Sequence, residues 1–363
     1  MDGECVNVEY WTKLEDGRIG CQLCPRFCKM RPGQRGLCFV RRAREDGEGM
    51  ELTGYGRSTG FCIDPIEKKP LNHFLPGTSV LSFGTAGCNL ACAFCQNWDI
   101  SKSREVARLS SAAMPETIGR AAERLGCASV AYTYNDPVIF MEYALDTAEA
   151  CRAKGIKNVA VTAGFVCEEP RKRLFAGMDA ANVDLKAFTE RFYEKRCVGA
   201  LEPVKDTLKY LVHETNVWTE ITTLLIPGEN DSDGEIEALT KWVASELRPD
   251  VPLHFTAFHP DYRMLDTPPT PLATLQRARA IGVKNGLKHA YVGNIHDPAR
   301  EATLCPVCGA RCIGRDRYEI TAYSLDAAGR CLSCGTMMAG VFAAKPGHWG
   351  ARRVPVAIER YAA

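Results

Sequence analysis

Three cysteines occur within eight residues of the stretch "GTAGCNLACAFCQNWDIS" (84–101). Cys88, Cys92 and Cys95 have the spacing C-x3-C-x2-C. A structural zinc site takes four ligands, and a cubane iron–sulfur cluster has four irons to ligate. Three thiols therefore leave one position open for a substrate or cofactor. The alternative is a structural metal loop that a distant fourth ligand completes.

A second group of thiols lies near the end of the chain, with the spacing C-x2-C-x22-C-x2-C. In "CPVCG" and "CLSCG" a glycine follows the second thiol of each pair, which resembles a pair of zinc knuckles. We expect a structural zinc ion at this group. Cys312 is then surplus, and an auxiliary iron–sulfur cluster remains an alternative. The four expected zinc ligands are Cys305, Cys308, Cys331 and Cys334.

A third group near the start of the chain has the spacing C-x2-C-x3-C-x9-C. It consists of Cys21, Cys24, Cys28 and Cys38. Four thiols suffice for zinc or for an auxiliary [4Fe–4S] cluster, and this spacing does not choose between them. Either metal would fold a segment that has little apolar core of its own.

The overall composition limits which classes of partner and which cellular compartment we expect. Lys plus Arg number 45 and Asp plus Glu 44 in 363 residues, so charge gives no reason to expect a nucleic acid or a membrane. The N-terminal stretch "MDGECVNVEYWTKLEDG" has no signal-peptide pattern, and no run approaches the roughly 20 apolar residues of a membrane span. We expect a cytoplasmic protein in which the clustered thiols among its 18 cysteines bind metal instead of forming disulfides, while the six scattered cysteines are inert.

Seven apolar, β-rich runs alternate with helical patterns between the outer cysteine groups. In the pattern "PETIGRAAERLG", Pro115 suits the first helical turn and Gly126 the C-terminal end. Strands that alternate with helices of such length form parallel βαβ units. The predicted strands lie in 79–84, 128–134, 158–163, 181–187, 217–225, 252–258 and 290–293.

These patterns predict an α/β domain with a curled or closed parallel sheet at residues 76–300. Ligands bind at the carboxyl ends of the strands in such folds, and the Cys88 loop directly follows the first predicted strand. A cysteine-rich module at 1–75 and a zinc-ribbon-like module at 301–363 are expected to flank the domain. The site is therefore expected beside the three-cysteine loop.

The three-cysteine spacing, with Phe94 just before the last thiol, resembles the signature of the radical S-adenosylmethionine (radical SAM) superfamily. In that superfamily three thiolates hold a [4Fe–4S] cluster, and SAM chelates the fourth iron. Reductive cleavage of SAM then yields a radical that abstracts a hydrogen atom from a substrate. The resemblance implies a partial (β/α)6-type radical SAM barrel with small cysteine-rich N- and C-terminal metal modules.

Longer stretches resemble AmmeMemoRadiSam-type radical SAM proteins, relatives of the pyruvate formate-lyase activating enzymes. The resemblance covers nearly the whole chain. It implies a low-potential electron donor of the flavodoxin or ferredoxin class, and Amme- and Memo-type proteins as partners. The stretches are "DPIEKKPLNHFLPGTSVLSFGTAGCNLACAFCQNWDIS", "YTYNDPVIFMEY", "VTAGF", "NVDLKAFTERFY", "LLIPGENDS" and "LHFTAFHPDYRM".

The resemblance also assigns roles to residues. Cys88, Cys92 and Cys95 would ligate the cluster, and Phe94 would lie near the adenine of SAM. Where the superfamily commonly has a GGE-type motif for the methionine amino group, this chain has "TYNDP", a departure from the common pattern. The residues that inherit contacts with SAM are Thr133, Asn135 and Asp136, followed by Thr162 and Gly164 in "VTAGF".

Further polar residues lie in or just after the later predicted strands. Asp184 and Lys186 are candidates for contact with the SAM carboxylate or the substrate, although a plain ion pair is the alternative. Glu220 and Thr222 share one face of a strand and are expected to line the barrel. Candidates for substrate binding around "LHFTAFHPDYRM" are His254, His259, Tyr262 and Arg263, and the candidates for catalysis are Asp184, Lys186, His259 and Tyr262.

Three classes of function compete. The leading hypothesis is a radical SAM enzyme that acts on an unidentified protein, peptide or metabolite, with activation of a glycyl-radical enzyme as an alternative. A non-catalytic iron–sulfur or zinc protein for electron transfer or docking is the second class. The segments "TYNDP" and "VTAGF" argue against it, because an electron carrier needs no SAM pocket. The third class, nucleic-acid modification, is weakened by the near-zero charge.

Overall fold

A sheet of seven parallel strands in sequential order forms the centre of the structure, a computed structural model that describes residues 4–103 and 110–362. Each of the seven runs predicted from the sequence overlaps one of these strands. They are β1 (Ser79–Gly84), β2 (Ser129–Tyr132), β3 (Lys157–Thr162), β4 (Ala180–Asp184), β5 (Trp218–Leu225), β6 (Leu253–Ala257) and β7 (Ala290–Gly293).

One longer helix connects each strand to the next. Pro115 opens the first helix, whose buried face carries Ile118, Ala121 and Ala122, and Gly126 follows its end with φ +65°. The helices are α1 (Pro115–Arg124), α2 (Met141–Arg152), α3 (Glu168–Ala176), α4 (Glu202–Glu214), α5 (Asp233–Trp242) and α6 (Leu272–Lys284).

The sheet forms a partial barrel of six βα units plus β7, as predicted. Beyond β1 lies the antiparallel strand Arg57–Pro65, which also pairs with Val354–Pro355. Within the described ranges β7 is the opposite edge of the sheet. All six residues of β1 are buried, as expected for a strand covered on both faces. The carboxyl ends of seven strands therefore face one mouth.

Smaller sheets flank the barrel at both ends of the chain. Two three-stranded sheets precede it, and the C-terminal sheet contains Thr303–Leu304, Arg311–Asp316 and Glu319–Tyr323. The N-terminal strands are Glu4–Asn7, Arg41–Ala43 and Met50–Tyr55 in one sheet, and Trp11–Lys13, Ile19–Cys21 and Lys29–Met30 in the other.

Short elements complete the described structure. Ser111–Ala112 pairs with Arg57–Pro65. In residues 4–103 and 110–362, no helix is long and apolar enough to cross a membrane. The short helices are Ile66–Lys68, Trp98–Ser101, Pro137–Phe140, Glu190–Phe192, Tyr193–Cys197, Val243–Leu247, Pro298–Glu301 and Ile358–Tyr361.

The predicted module boundaries at residues 75 and 300 stay predictions. The strand Arg57–Pro65 falls inside the predicted first module, yet it pairs with β1. The C-terminal segment likewise returns to the barrel, where Arg120 of α1 donates hydrogen bonds to the carbonyls of Tyr361 and Ala362. Both ends of the chain thus contact the central domain.

Candidate active site at the carboxyl ends of the strands

A cavity of about 290 Å³ opens at the carboxyl ends of the parallel strands. The loop after β1 contributes Cys88, Cys92 and Cys95 to its wall. Residues after β2, β3 and β4 complete the wall, as expected for ligand sites in parallel α/β folds. Other residues predicted from the sequence that line this cavity are Phe94, Thr133, Asn135, Asp136, Thr162, Asp184, Lys186 and Thr222.

Asn135 holds the start of the cysteine loop. Its Oδ1 accepts a hydrogen bond from the Thr85 amide (3.1 Å), and its Nδ2 donates to Thr85 Oγ1 (3.0 Å) and to the Gly87 carbonyl (2.9 Å). A Cβ on Gly84 would lie 2.5 Å from the Thr133 carbonyl, so only glycine allows β1 to approach the chain after β2 here. The segment "TYNDP" therefore positions the loop that carries the thiols.

The remainder of the cysteine loop is paired with the segment before α4. The amides of Ala91 and Ala93 donate to the carbonyls of Cys197 (2.9 Å) and Arg196 (2.8 Å). Cys95 Sγ lies 3.1 Å from Ser101 Oγ. The loop is thus held at both ends before any ligand is bound.

Asp136 and Thr162 connect the ends of β2 and β3. Thr162 Oγ1 donates to Asp136 Oδ1 (2.9 Å), and the Ala163 amide donates to Asp136 Oδ2 (2.9 Å). Burial raises the pKa of Asp136, while these donors oppose the shift. The carboxylate already accepts three hydrogen bonds, including one from the Val138 amide at 3.1 Å. Contact of either side chain with SAM stays a prediction.

Asp184 and Lys186 form an ion pair at the cavity wall, with Nζ 2.8 Å from Oδ2. Burial alone would lower the pKa of Lys186, but Asp184 and the nearby thiols of Cys92 and Cys197 raise it well above its ordinary value. The ammonium lies 5.8 Å from the centre of the Phe94 ring. A positive charge and an aromatic face are therefore presented side by side.

Cys197 is a neighbour of the site to which the sequence analysis assigns no role. Its thiol hydrogen-bonds with Cys92, and this bond together with the Lys186 charge lowers the pKa of Cys92, although burial opposes the shift. Burial raises the pKa of Cys88 to about 12. The surroundings therefore favour the thiolate at Cys92, the form that binds metal. A single cysteine 102 residues beyond Cys95 carries no sequence signal for this contact.

The cavity fits a metal-bound ligand in its chemistry. Three thiols, without a fourth in the same loop, face a space that also contains Thr222 Oγ1, a buried hydroxyl with no hydrogen-bond partner among the described residues. Such an orphaned group is satisfied by an occupant of the cavity. The donor set and the unpaired hydroxyl both suit a cluster with a polar ligand on its open position.

Several predicted residues lie outside this cavity. Gly164 adopts φ +65°, and its carbonyl accepts a hydrogen bond from Thr207 (2.7 Å). The Glu220 carboxylate accepts from His254 (2.7 Å) and from the amides of two residues in the segment before β1. Their predicted roles at the site stay predictions.

Residues in and after β6 divide between two places. His254 in β6 and His259 after it line a second cavity that adjoins the first. Tyr262 lies outside both cavities, where its ring stacks on Trp98 with 5.7 Å between ring centres. The Arg263 amide donates to the Ala93 carbonyl (3.1 Å) and so packs this segment on the cysteine loop.

The C-terminal thiols form a compact group suited to one metal ion. All four sulfurs lie within 4.8 Å of one another, with 3.6 Å between Cys305 and Cys334 and 3.8 Å between Cys308 and Cys331. Gly309 and Gly335 adopt φ +71° and +74°, as the knuckle pattern predicts. Cys312 is fully buried in the small apolar core of this module.

The N-terminal thiols line a small apolar cavity beside the barrel. Arg26 Nη2 and Arg41 Nη1 lie at this cavity and are buried without a hydrogen-bond partner among the described residues. Arg41 also forms an ion pair with Glu142, but the nitrogens without partners are donors that suit an anionic metal centre at the thiols. The cavity is lined by Cys21, Cys24, Cys28 and Cys38.

Comparisons with known proteins agree with this geometry. Residues 83–240 match the sequence model of the Radical SAM superfamily. An uncharacterized protein of Methanocaldococcus jannaschii is 40% identical over 328 residues, which are 90% of this chain and 96% of the relative.

Among solved structures, a radical SAM methyltransferase from Sphaerobacter thermophilus is 15% identical, with a TM-score of 0.50 over 80% of this chain and 77% of that chain. A domain of pyruvate-formate lyase-activating enzyme from Bacteroides vulgatus is 18% identical, with a TM-score of 0.41 over 46% of this chain and 99% of that chain. At such identities the structural likeness concerns the fold alone.

Proposed function

This chain belongs to the radical SAM superfamily, and from that premise we propose that it cleaves S-adenosylmethionine reductively and abstracts a hydrogen atom from a substrate. Membership in the superfamily implies an iron–sulfur cluster and SAM as cofactors. The observation that carries the proposal is the convergence of Cys88, Cys92 and Cys95 on one cavity at the carboxyl ends of the strands. We assign these thiols to a [4Fe–4S] cluster.

When bound, the cluster supplies the electron that cleaves SAM, and SAM supplies the radical. The chain's own residues bind and orient SAM. Lys186, held by Asp184, offers a positive charge to the SAM carboxylate, and the buried ring of Phe94, which lines the cavity, offers an apolar surface to the adenine. The Thr222 hydroxyl is free to accept or donate a hydrogen bond to the bound cofactor.

We propose zinc for the C-terminal group of thiols. A tetrahedral site with Zn–S bonds of about 2.3 Å places its sulfurs about 3.8 Å apart. The distances of 3.6 Å and 3.8 Å between the two pairs support this assignment. For the N-terminal group we propose a tetrathiolate metal centre, with zinc and an auxiliary [4Fe–4S] cluster both open.

The electron must come from outside the chain, and we propose a donor of the flavodoxin or ferredoxin class. Membership in the AmmeMemoRadiSam subgroup, cooperation with Amme- and Memo-type proteins and activation of a glycyl-radical enzyme stay predictions from the sequence resemblance. So does the choice between a protein, a peptide and a metabolite as substrate.

The test uses full-length protein reconstituted with iron and sulfide without oxygen. SAM and dithionite are added, and 5′-deoxyadenosine is quantified by chromatography. The decisive variant replaces Cys88, Cys92 and Cys95 with alanine, and the matched control replaces Cys5, Cys127 and Cys151, which belong to none of the three thiol groups. We expect deoxyadenosine from the parent and the control and none from the decisive variant.

Two outcomes would contradict the proposal. The first is deoxyadenosine formation by the variant that lacks the three thiols. The second is a fully loaded cluster in the parent whose EPR spectrum does not change when SAM is added, because an open iron that binds SAM must alter that spectrum. That result would favour the electron-transfer class.

A further inference from the structure

A second cavity, of about 450 Å³, lies between the mouth of the barrel and the C-terminal module. Barrel residues after β6 and β7 form one wall, and Arg315, Arg317 and Tyr318 of the C-terminal sheet region form the other. The two cavities adjoin each other, because five residues line both. The shared residues are Lys68, Pro70, Gln96, Thr256 and Asn294.

The inner end of this cavity contains two buried ionisable groups with unused hydrogen-bonding capacity. The side chains of Glu67 and Arg315 are 2% and 1% exposed, and Arg315 Nε lies 4.0 Å from Glu67 Oε1, too far for a hydrogen bond. Glu67 Oε2 and Arg315 Nε have no hydrogen-bond partner among the described residues. Buried polar atoms of this kind are costly unless an occupant satisfies them.

The other atoms of both groups are already in use. Glu67 Oε1 accepts from the Gly77 amide at 2.7 Å. Arg315 donates through Nη2 to the Asn72 carbonyl (2.6 Å) and through Nη1 to Thr303 Oγ1 (2.8 Å). These neutral acceptors hold the guanidinium in place and leave its charge without a carboxylate at hydrogen-bond distance. A rigid cationic donor therefore faces the cavity.

The rim adds positive charge. Arg317 is exposed, and its guanidinium has no hydrogen bond or ion pair within the described part of the chain. Its amide donates to Glu301 Oε2 (2.7 Å), and the Asp297 amide donates to Glu301 Oε1 (3.0 Å), so backbone groups already engage the Glu301 carboxylate. Lys68 forms an ion pair with Asp64, with 3.0 Å between Nζ and Oδ1. Of the Lys, Arg, Asp and Glu residues that line the cavity, three are basic (Lys68, Arg315 and Arg317) and two are acidic (Glu67 and Glu301).

We propose that this second cavity binds the substrate, and that the substrate is a small molecule with a carboxylate or phosphate group. Arg317 captures the anionic group at the rim, while Arg315 Nε and Glu67 Oε2 bind polar atoms at the inner end. The proposal rests on the proposed function, which makes the adjoining cavity the SAM site. Gln96, Thr256 and Asn294 line both cavities, and the substrate meets the reacting atoms beside these residues.

Size and burial favour a small molecule over a protein segment. The volume falls within the range of roughly 300–1,000 Å³ that is usual for small-ligand sites. The unpaired atoms of Glu67 and Arg315 lie at the buried end, where a compact polar ligand reaches them. The C-terminal module thereby gains a role in selecting the substrate, in addition to its thiols.

Inorganic phosphate and succinate serve as probes of the anion site in calorimetric titrations of the full chain. Arg317→Gln removes the rim charge but keeps the backbone bond to Glu301, and Arg317→Lys restores the charge. Arg311→Gln is the matched control, because Arg311 is exposed on the same small sheet but lines neither cavity. The better of the two probes identifies the class of anion.

We expect one probe to bind the parent with a dissociation constant at or below about 10 mM. Arg317→Gln should weaken this binding by about tenfold or more, as for loss of a charge-assisted contact, and Arg317→Lys should recover part of it. Arg311→Gln should change it less than about twofold. Absence of binding to the parent, or equal losses in the two glutamine variants, would overturn the inference.

Failure of this inference is distinguishable from failure of the proposed function. Anion binding requires neither SAM nor the cluster, whereas deoxyadenosine formation requires both. A parent that forms deoxyadenosine but binds neither anion refutes the substrate site alone. A parent that binds an anion at Arg317 but never cleaves SAM refutes the proposed chemistry, and the cavity then belongs to another function.

Discussion

At the scale of single residues, polar side chains near the cavity orient the backbone as well as face the ligand space. Asn135 makes three hydrogen bonds to the segment that leads into Cys88, so its side chain determines where that thiol lies. The sequence resemblance predicts contact with SAM for this residue. The structure adds a positioning task that operates without a ligand.

Asn135→Ala is therefore expected to lower both stability and iron loading. It leaves the buried Thr85 amide and Gly87 carbonyl without their partner, at a cost of about 3 kcal/mol in the free energy of unfolding. Urea unfolding and the iron content after reconstitution measure the two effects. Asn285→Ala is the control, since it loses one bond to Thr240 Oγ1 (2.8 Å) far from the cavity and should cost about 1 kcal/mol. Equal losses of iron in the two variants would contradict the positioning role.

Glu220 connects strands to the segment before the barrel and makes stability depend on pH. Its carboxylate accepts from the Asn72 and His73 amides, Trp218 Nε1 and His254 Nε2. Burial opposes ionisation, but the hydrogen bond and charge of His254 and the other donors leave the pKa of Glu220 below its ordinary value of 4.5. A depressed pKa means that the carboxylate stabilises the fold above pH 4.5 and ceases to do so as the pH falls through the folded pKa.

Glu220→Gln should remove this contribution. The free energy of unfolding should differ most between parent and variant near pH 7, by about 2 kcal/mol or more, and the difference should shrink as the pH falls below 4.5. Urea titrations at a series of pH values provide the measurement. A difference that stays constant or grows on acidification would show that the carboxylate charge does not stabilise the fold.

At the scale of elements, the cysteine loop is packed directly on the N-terminal segment. Gly87 adopts φ +88°, and a Cβ there would lie 2.0 Å from the Cys38 carbonyl. Gly126, with φ +65° and no atom within 4 Å of such a Cβ, provides a matched control. Alanine at either position incurs the strain of a left-handed conformation, about 1–2 kcal/mol.

Gly87→Ala should cost at least about 2 kcal/mol more than Gly126→Ala, because it adds a clash with a carbonyl that cannot rotate away. It should also reduce the iron bound at the Cys88 loop, since that loop must shift. Chemical denaturation and elemental analysis of both variants check this. Equal stabilities and equal iron contents would mean that the two segments are not mechanically coupled.

The elements themselves were predictable because their signals are local. Buried parallel strands have continuous apolar sequences. Pro115 begins α1, and Gly126 follows its C-terminal end. The antiparallel strand Arg57–Pro65 was not predicted as part of the barrel sheet, since it belongs to a segment read as a separate metal module. Pairing between distant segments leaves no periodic trace in either of them.

The site was predictable to the same extent. The thiols and the residues after β2, β3 and β4 were found because chain order and strand polarity bring them to one edge. Other features depend on packing between residues that are distant in sequence. They are the contact of Cys197 with Cys92, the hydrogen bonds to Glu220 and the cavity around Arg315. A buried acidic residue such as Glu67 is recognised as buried only once the fold is known.

At the scale of the whole molecule, three groups of thiols surround one barrel and differ in their surroundings. The Cys88 group faces a cavity, the N-terminal group lies in an apolar enclosure with two unpaired arginine nitrogens, and the C-terminal group is compact and partly exposed. These differences predict different metals. The C-terminal module also forms one wall of the second cavity. Loss of its metal should therefore alter the structure of that cavity at the barrel mouth.

The C-terminal group is the most direct place to test this division of metals. Replacing the exposed Cys308 and Cys334 with alanine should lower the zinc content by about one ion per chain and leave iron unchanged, because four thiolates around one ion cannot be reduced to two without loss of affinity. Cys312→Ala is the control, since this buried thiol is expected to be surplus and should retain the zinc. Elemental analysis gives the metal contents, and limited proteolysis reports whether residues 301–363 lose their fold. A fall in iron in the double variant, or loss of metal in the Cys312 variant, would instead support an auxiliary iron–sulfur cluster at this end of the chain.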